Sequence, residues 1–377
     1  MRVPHSIYFL IILLTVCCKR VYLPPVIASP NSYLVVDGFI SGGSDSTIIK
    51  LTRTRNLADS LDYLHESGAN VTITGSAGDM YTLQEMNGGV YAASNLNLNN
   101  NETFQLKIIT AKGLVYLSDS VSILQTPEID SISWQRKQDG VHIYANTHDD
   151  TGNTKYYRWV YEETWEYHST YFTDLEYSGG QVVYRPLADY IYTCWKTQPA
   201  TTIALGTSAG LSEPVVDQAD VQFIPNGDGR LSIGYSILVK QFAITQEAFI
   251  FWQNLLKNTE NRGSLFDPQP SQTTGNIHCV SNPEEPVIGY ISANTMTQQR
   301  KFISSTEITD WKDSVLDCPK LFVPLDPVEM DLYFTRFYIP VEEVYAFSIL
   351  IGYNSYLQDC VDCRLNGGST VKPIFFP

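Results

Sequence analysis

From Tyr33 to Leu124 the chain is cut into short β-branched or aromatic runs about ten residues apart, and this spacing limits its possible folds most. The runs are 33–40, 46–54, 69–75, 80–85, 89–93, 103–110 and 114–124, separated by turn clusters such as SGGSD, GSAGD, MNGG and NLNNN. Such runs are half-buried strands, and a strand is stable only when it is paired and its apolar face is covered. Seven of them over about a hundred residues predict an immunoglobulin-like or fibronectin-like β-sandwich over 32–127.

A second β series predicts a larger sandwich domain over 128–377. It opens with SISWQ, VHIYAN and YYRWVYEETWEYH and runs on through QVVYR, IYTCWK, TTIALG, VQFIP and LSIGYSILVKQFA. The last two are joined by Asn226-Gly227-Asp228-Gly229, which signals a hairpin. The period then changes. Thr245 is placed to cap a helix near 245–261, with Ala248, Phe249, Trp252, Leu255 and Leu256 on one face. It is the only long helix the pattern supports. Beyond VIGYISAN and RKFIS a proline-rich aromatic stretch runs to the end, where a tail rich in Gly, Pro and Phe is expected to have little regular structure. The fold class is therefore mainly β: tandem sandwiches with one long helix in the second half.

The N terminus fixes the setting. Arg2, an apolar run from Ile7 to Val16 and the pair Cys17-Cys18 form an export signal over 1–18 of the type whose cysteine is lipidated. Cys18, preceded by the small Cys17, is the expected anchor. Cys17, with Leu14 three residues before it, is the alternative. Ten apolar residues fall short of the about 20 that a spanning helix needs. The bilayer is thus expected to be met through an acylated cysteine, with the proline-bearing segment 19–31 as an extended tether. A formal charge of −15, or −16 once Arg2 leaves with the signal, repels phosphate backbones and argues against nucleic acid.

With Cys18 as anchor, Cys194, Cys279, Cys318, Cys360 and Cys363 remain, an odd number in an oxidising compartment. The Cys360/Cys363 spacing fits a redox pair or half a metal site, but it has neither a βαβ setting nor a second C-x-x-C. The expectation is that both bond to distant cysteines, one to Cys318 and the other to Cys194, stapling the tail and leaving Cys279 as the free thiol.

Catalytic signals are sparse. There is no G-x-S-x-G, G-x-x-x-x-G-K-[ST] or G-x-G-x-x-G, and no histidine pair with metal spacing. His142 lies within a strand run and reads as structural. Asp149, Asp150 and Asn153, and Asn226 with Asp228, suit turns better than calcium loops. Paired carboxylates are the one catalytic option: Glu162, Glu163 and Glu166 lie near Trp159 and Trp165, which would stack a sugar. Alternation instead places Trp159, Tyr161 and Glu163 on one strand face, giving an aromatic core edged by exposed acids. No catalytic residue, metal or cofactor is expected.

A set of short motifs is more specific: Tyr22-Leu-Pro-Pro, Leu34-Val-Val-Asp-Gly, Gly263-Ser-Leu-Phe-Asp267, Gly275-Asn-Ile277, Asn282-Pro-Glu284, Gly289-Tyr290, Cys360-Val-Asp-Cys-Arg364, Gly367-Gly368 and Lys372-Pro373. In these the chain resembles the Bacteroidota lipoprotein family catalogued as domain of unknown function 4249. The resemblance implies an outer-membrane lipoprotein typically encoded beside a TonB-dependent receptor, and it implies no activity. Lys19-Arg20 depart from the acidic residues expected after the cysteine of a surface-displayed member, so the membrane face stays open. The leading expectation is a non-enzymatic binding or accessory component of nutrient capture or uptake, with a small molecule or glycan as its possible ligand. A carbohydrate-active enzyme and a structural or adhesive envelope protein are the alternatives.

Overall fold

Strict alternation becomes sheet in the first runs: along Thr47–Arg53, Ile49 and Leu51 are fully buried while Lys50 faces solvent. A computed structural model describes residues 32–55, 64–260, 275–308, 310–312 and 317–377. The signal, both candidate anchor cysteines, the tether 19–31 and the motif at 263–267 lie outside the described residues.

The strands of the first body close on themselves. Pairing runs from Thr103–Ile109 to Asn70–Gly75, Met80–Asn87, Val90–Ala93, Thr47–Arg53 and Leu34–Ser41. It continues through Ala293–Asn294 and Val121–Leu124, which returns to Thr103–Ile109. The expected β-rich body is present, with its strands joined into one closed sheet. The strand that closes the ring, Ala293–Asn294, lies parallel to both neighbours and arrives from far along the chain. It satisfies two strand edges that would otherwise be left unpaired.

The domain limit at 127 also changes. Ile277–Cys279 pairs with Val115–Ser118, and Val287–Ile288 pairs with Leu34–Ser41. Ile277, Cys279, Val287, Ile291 and Ala293 are buried in the same core as Leu34, Ile49, Ile73, Phe104 and Tyr116. The first body is therefore discontinuous in sequence. Periodicity could not show this, because two- and three-residue strands carry no period.

The second body is a two-sheet sandwich. Ile129–Arg136, Gly140–His148 and Val215–Pro225 form one sheet. In the other, Tyr156–His168 pairs with Gly234–Ala243 on one side and with Thr193–Pro199 and Ala204–Thr207 on the other; Thr297–Ser304 lies beyond Gly234–Ala243. Ile143, Trp159, Tyr161, Ile224 and Ile237 fill the space between. The Asn226–Gly229 segment is not a hairpin, because its flanking strands belong to different sheets. Asp228 instead caps a short 3-10 turn by accepting from Arg230 N, and the chain crosses between layers there.

The helix spans Gln246–Glu260. Thr245 caps it, its Oγ1 accepting from Ala248 N at 3.2 Å. Three passes of chain meet where the bodies join. Thr126 Oγ1 donates to Thr295 O and accepts from Ala243 N, while Pro127 O accepts from both Gln241 Nε2 and Thr297 Oγ1. Such lateral bonding makes the joint a brace.

The stretch before the tail is ordered, and after the short turns at 358–366 the tail itself carries no helix or regular strand. Leu321–Pro324, Ile349–Leu357 and Tyr338–Ala346 form a sheet in that order, and the helix Pro327–Phe334 packs on it. Asp326 caps that helix and proline opens it, a start signal present in the sequence. The hairpin Leu175–Ser178/Gln181–Tyr184, inserted within the second body, completes this C-terminal body by adding Leu175 to a core of Val323, Met330, Phe334 and Tyr353. Disulfides Cys194–Cys363 and Cys318–Cys360 staple it, and Cys279 is a free, buried thiol.

Candidate docking surface

The acids singled out for catalysis are held in a structural network. Glu163 is buried rather than exposed, because it shares the inward face with Trp159 and Tyr161. Arg230 Nη1 donates to both of its oxygens at 2.8 and 2.9 Å, and Tyr235 Oη donates to Oε1 at 2.6 Å. Arg230 also donates to Asp228 through Nε and Nη2. Burial opposes the charged form of Asp228, yet the hydrogen bonds and charge of Arg230 hold its pKa below the ordinary 3.8. Burial, with the Glu163 charge beside it, pushes the Tyr235 hydroxyl well above the usual tyrosine range. Trp159 is fully buried and donates to Gln241 Oε1, and Trp165 is 9% exposed, so neither offers a face to a sugar.

The other candidates are turn and strand chemistry. Asp149 accepts from Thr151 N and Oγ1 and from Thr154 N, which closes its turn. His142 contacts Asp139 and packs on Phe223. Among the described residues no group of three or more His, Cys, Asp or Glu side chains is disposed to hold a metal ion.

The family-like motifs also do structural work. Asn276 exchanges two hydrogen bonds with the Ile291 backbone, both at 2.8 Å. A side chain on Gly289 would stand 2.3 Å from Val36 O, so glycine alone fits where this segment lies against the Leu34–Ser41 strand. At the other end Tyr167 Oη donates to Cys363 O, Lys196 Nζ donates to Asn366 O, and Ser369 forms an antiparallel bridge with Trp195.

Two features suit an outside partner. A cleft of about 610 Å³, within the range of small-ligand sites, is lined by Tyr33, Leu255, Ile277, Cys279, Glu284 and Ile288 among others. Glu285, which also lines it, accepts from Tyr116 Oη at 2.6 Å and pairs with Arg53, whose Nε donates to Glu66 at 2.6 Å. Burial pushes the Tyr116 hydroxyl far up, reinforced by Glu285, and this keeps it a neutral donor.

The second feature is larger. Among the described residues, many of the exposed large apolar side chains lie on the C-terminal body or in the segments flanking it. They include Tyr184, Leu187, Val328, Tyr345, Phe347 and Ile349. Single exposed apolar residues are ordinary, but a concentration of them on one small body makes it a candidate interaction surface. Sequence reading missed it because a strand or helix with one uncovered face has the same pattern as one that is covered.

Residues 19–300 match the model of a family described as domain of unknown function (DUF4249). The chain belongs to this family. No curated protein matches it. Among solved structures, a two-fibronectin-type-III-domain segment of chicken tenascin is 11% identical, with 57% of this chain and 91% of that one covered and a TM-score of 0.16. The fold shared by family members need not carry an activity, and none transfers with the name.

Proposed function

We propose that this DUF4249 protein is a non-enzymatic outer-membrane lipoprotein that docks on a TonB-dependent transporter and assists nutrient capture or uptake. In this reading Cys18 carries the lipid, 19–31 is the tether, and both large bodies are immunoglobulin-like or fibronectin-like sandwiches, the first with its sheets joined into a ring. The single observation that carries the reading is the concentration of exposed apolar side chains on the C-terminal body. Enclosure of Glu163 by Arg230 and Tyr235, and of Trp159 by the core, speaks against a two-carboxylate glycosidase. The cleft beside Tyr33 and Ile277 favours a second role, holding a small molecule or glycan for hand-over.

Affinity purification from detergent-solubilised outer membranes tests the docking. The expected result is recovery of a TonB-dependent transporter that is lost when Leu187 and Val328 are replaced by Asp. Recovery of no outer-membrane barrel would refute it. For the anchor, a Cys18→Ala chain should lose labelling by a fatty-acid analogue and leave the membrane fraction. Full labelling of that chain, with loss in Cys17→Ala, would move the anchor by one residue.

A further inference from the structure

The turn joining Tyr338–Ala346 to Ile349–Leu357 departs from what its geometry prefers. Ala346 pairs directly with Ile349, so Phe347 and Ser348 are the two central residues. Both have positive φ, 48° and 66°. A two-residue loop with two left-handed residues is ordinarily Asn-Gly, because a Cβ crowds the backbone there. A phenylalanine in this position is a genuine outlier. Nor is it held by packing, since Phe347 is 101% exposed, with Tyr345 and Ile349 exposed on either side. The fold therefore tolerates a strained backbone to present a bare aromatic ring at the end of a hairpin. Strain of this kind clusters where a ligand or partner is gripped.

Charge separates two occupants. Between Tyr338 and Leu357 the only charged residues are Glu342 and Glu343. Each meets a neutral donor: Asn354 Nδ2 donates to Glu342, and Tyr345 Oη donates to Glu343. A tip that entered a bilayer would be expected to carry Lys or Arg to meet the phosphate groups. Acids beside an aromatic tip suit a protein pocket, apolar inside and basic at its rim, in which a buried aromatic acts as the anchor.

We propose that the Tyr345–Ile349 tip is the anchoring knob of the docking surface, with Phe347 entering an apolar pocket of a partner protein whose rim carries Lys or Arg. This rests on the docking reading above. The hairpin stem positions the ring, and Glu342 and Glu343 meet the rim cations.

In-cell photocrosslinking of the full-length chain, with benzoyl-phenylalanine in place of Ile349, tests it. One discrete protein adduct is expected, falling at least tenfold on Phe347→Ala and at least tenfold on the double change Glu342→Lys and Glu343→Lys. Thermal unfolding of the Phe347→Ala chain should be unchanged or raised, which separates a lost contact from a lost fold. Lipid adducts, no adduct, or an adduct indifferent to Phe347→Ala would overturn the proposal. An adduct with the expected sensitivities to a protein other than a TonB-dependent transporter would leave the knob standing and refute the transporter reading. A transporter adduct from benzoyl-phenylalanine at Leu187 with none at Ile349 would do the reverse.

Discussion

Replacing Phe347-Ser348 by Asn-Gly is expected to stabilise the free protein although it deletes a large apolar side chain. Phe347 is fully exposed, so its removal forfeits no burial. Both positions are left-handed, at a cost of about 1–2 kcal/mol for each ordinary residue. Asparagine tolerates this conformation better than phenylalanine, and glycine removes the penalty at the second position. Against this, glycine frees the unfolded chain by about 0.4–1 kcal/mol. The balance is a gain of about 1 kcal/mol, equivalent to roughly 1–2 °C in Tm when a chain of this length unfolds as a unit. Scanning calorimetry and urea unfolding of the two full-length chains would measure it, with an unchanged urea slope confirming that neither state changed in compactness. A loss of 0.5 kcal/mol or more would show that Phe347 is held by contacts within the chain and would remove the argument from strain.

Other outcomes follow from the buried networks. Glu163→Gln should destabilise by about 2–3 kcal/mol in urea titrations, because Arg230 loses one of its two charged partners at a largely desolvated site; unaltered stability would mean that the pair is solvated. Removing the Cys194–Cys363 bond, with a sequence separation of 169, should cost about 5 kcal/mol on chain-entropy grounds, and removing Cys318–Cys360, with 42, about 4 kcal/mol. Calorimetry of the paired Cys→Ala chains checks both values and their order. Asp228 has its pKa lowered in the folded state, so its contribution is present above its unfolded value of 3.8 and lost as pH falls through the folded one. Stability of the natural chain should therefore fall below about pH 4, and less steeply in Asp228→Asn, as pH-dependent urea titrations would show.

The sequence by itself determined what local rules decide. Alternation along Thr47–Arg53 and Tyr156–His168 marks strands because the side-chain period is two, and Thr245 with its following apolar positions marks the helix because the period there is 3.6. Cysteine number and spacing singled out Cys194, Cys318, Cys360 and Cys363 for bridging and left Cys279. What tertiary structure alone decided lies in contacts between distant segments. Two-residue Ala293–Asn294 has no periodicity, yet it closes the first sheet by pairing with two strands more than a hundred and fifty positions upstream. Glu163 reads as a surface acid until Arg230, from the 3-10 turn Gly229–Leu231, and Tyr235, from the neighbouring strand, meet it. Exposure of Phe347 depends on all the other described segments, none of which covers it, and no local pattern carries that information.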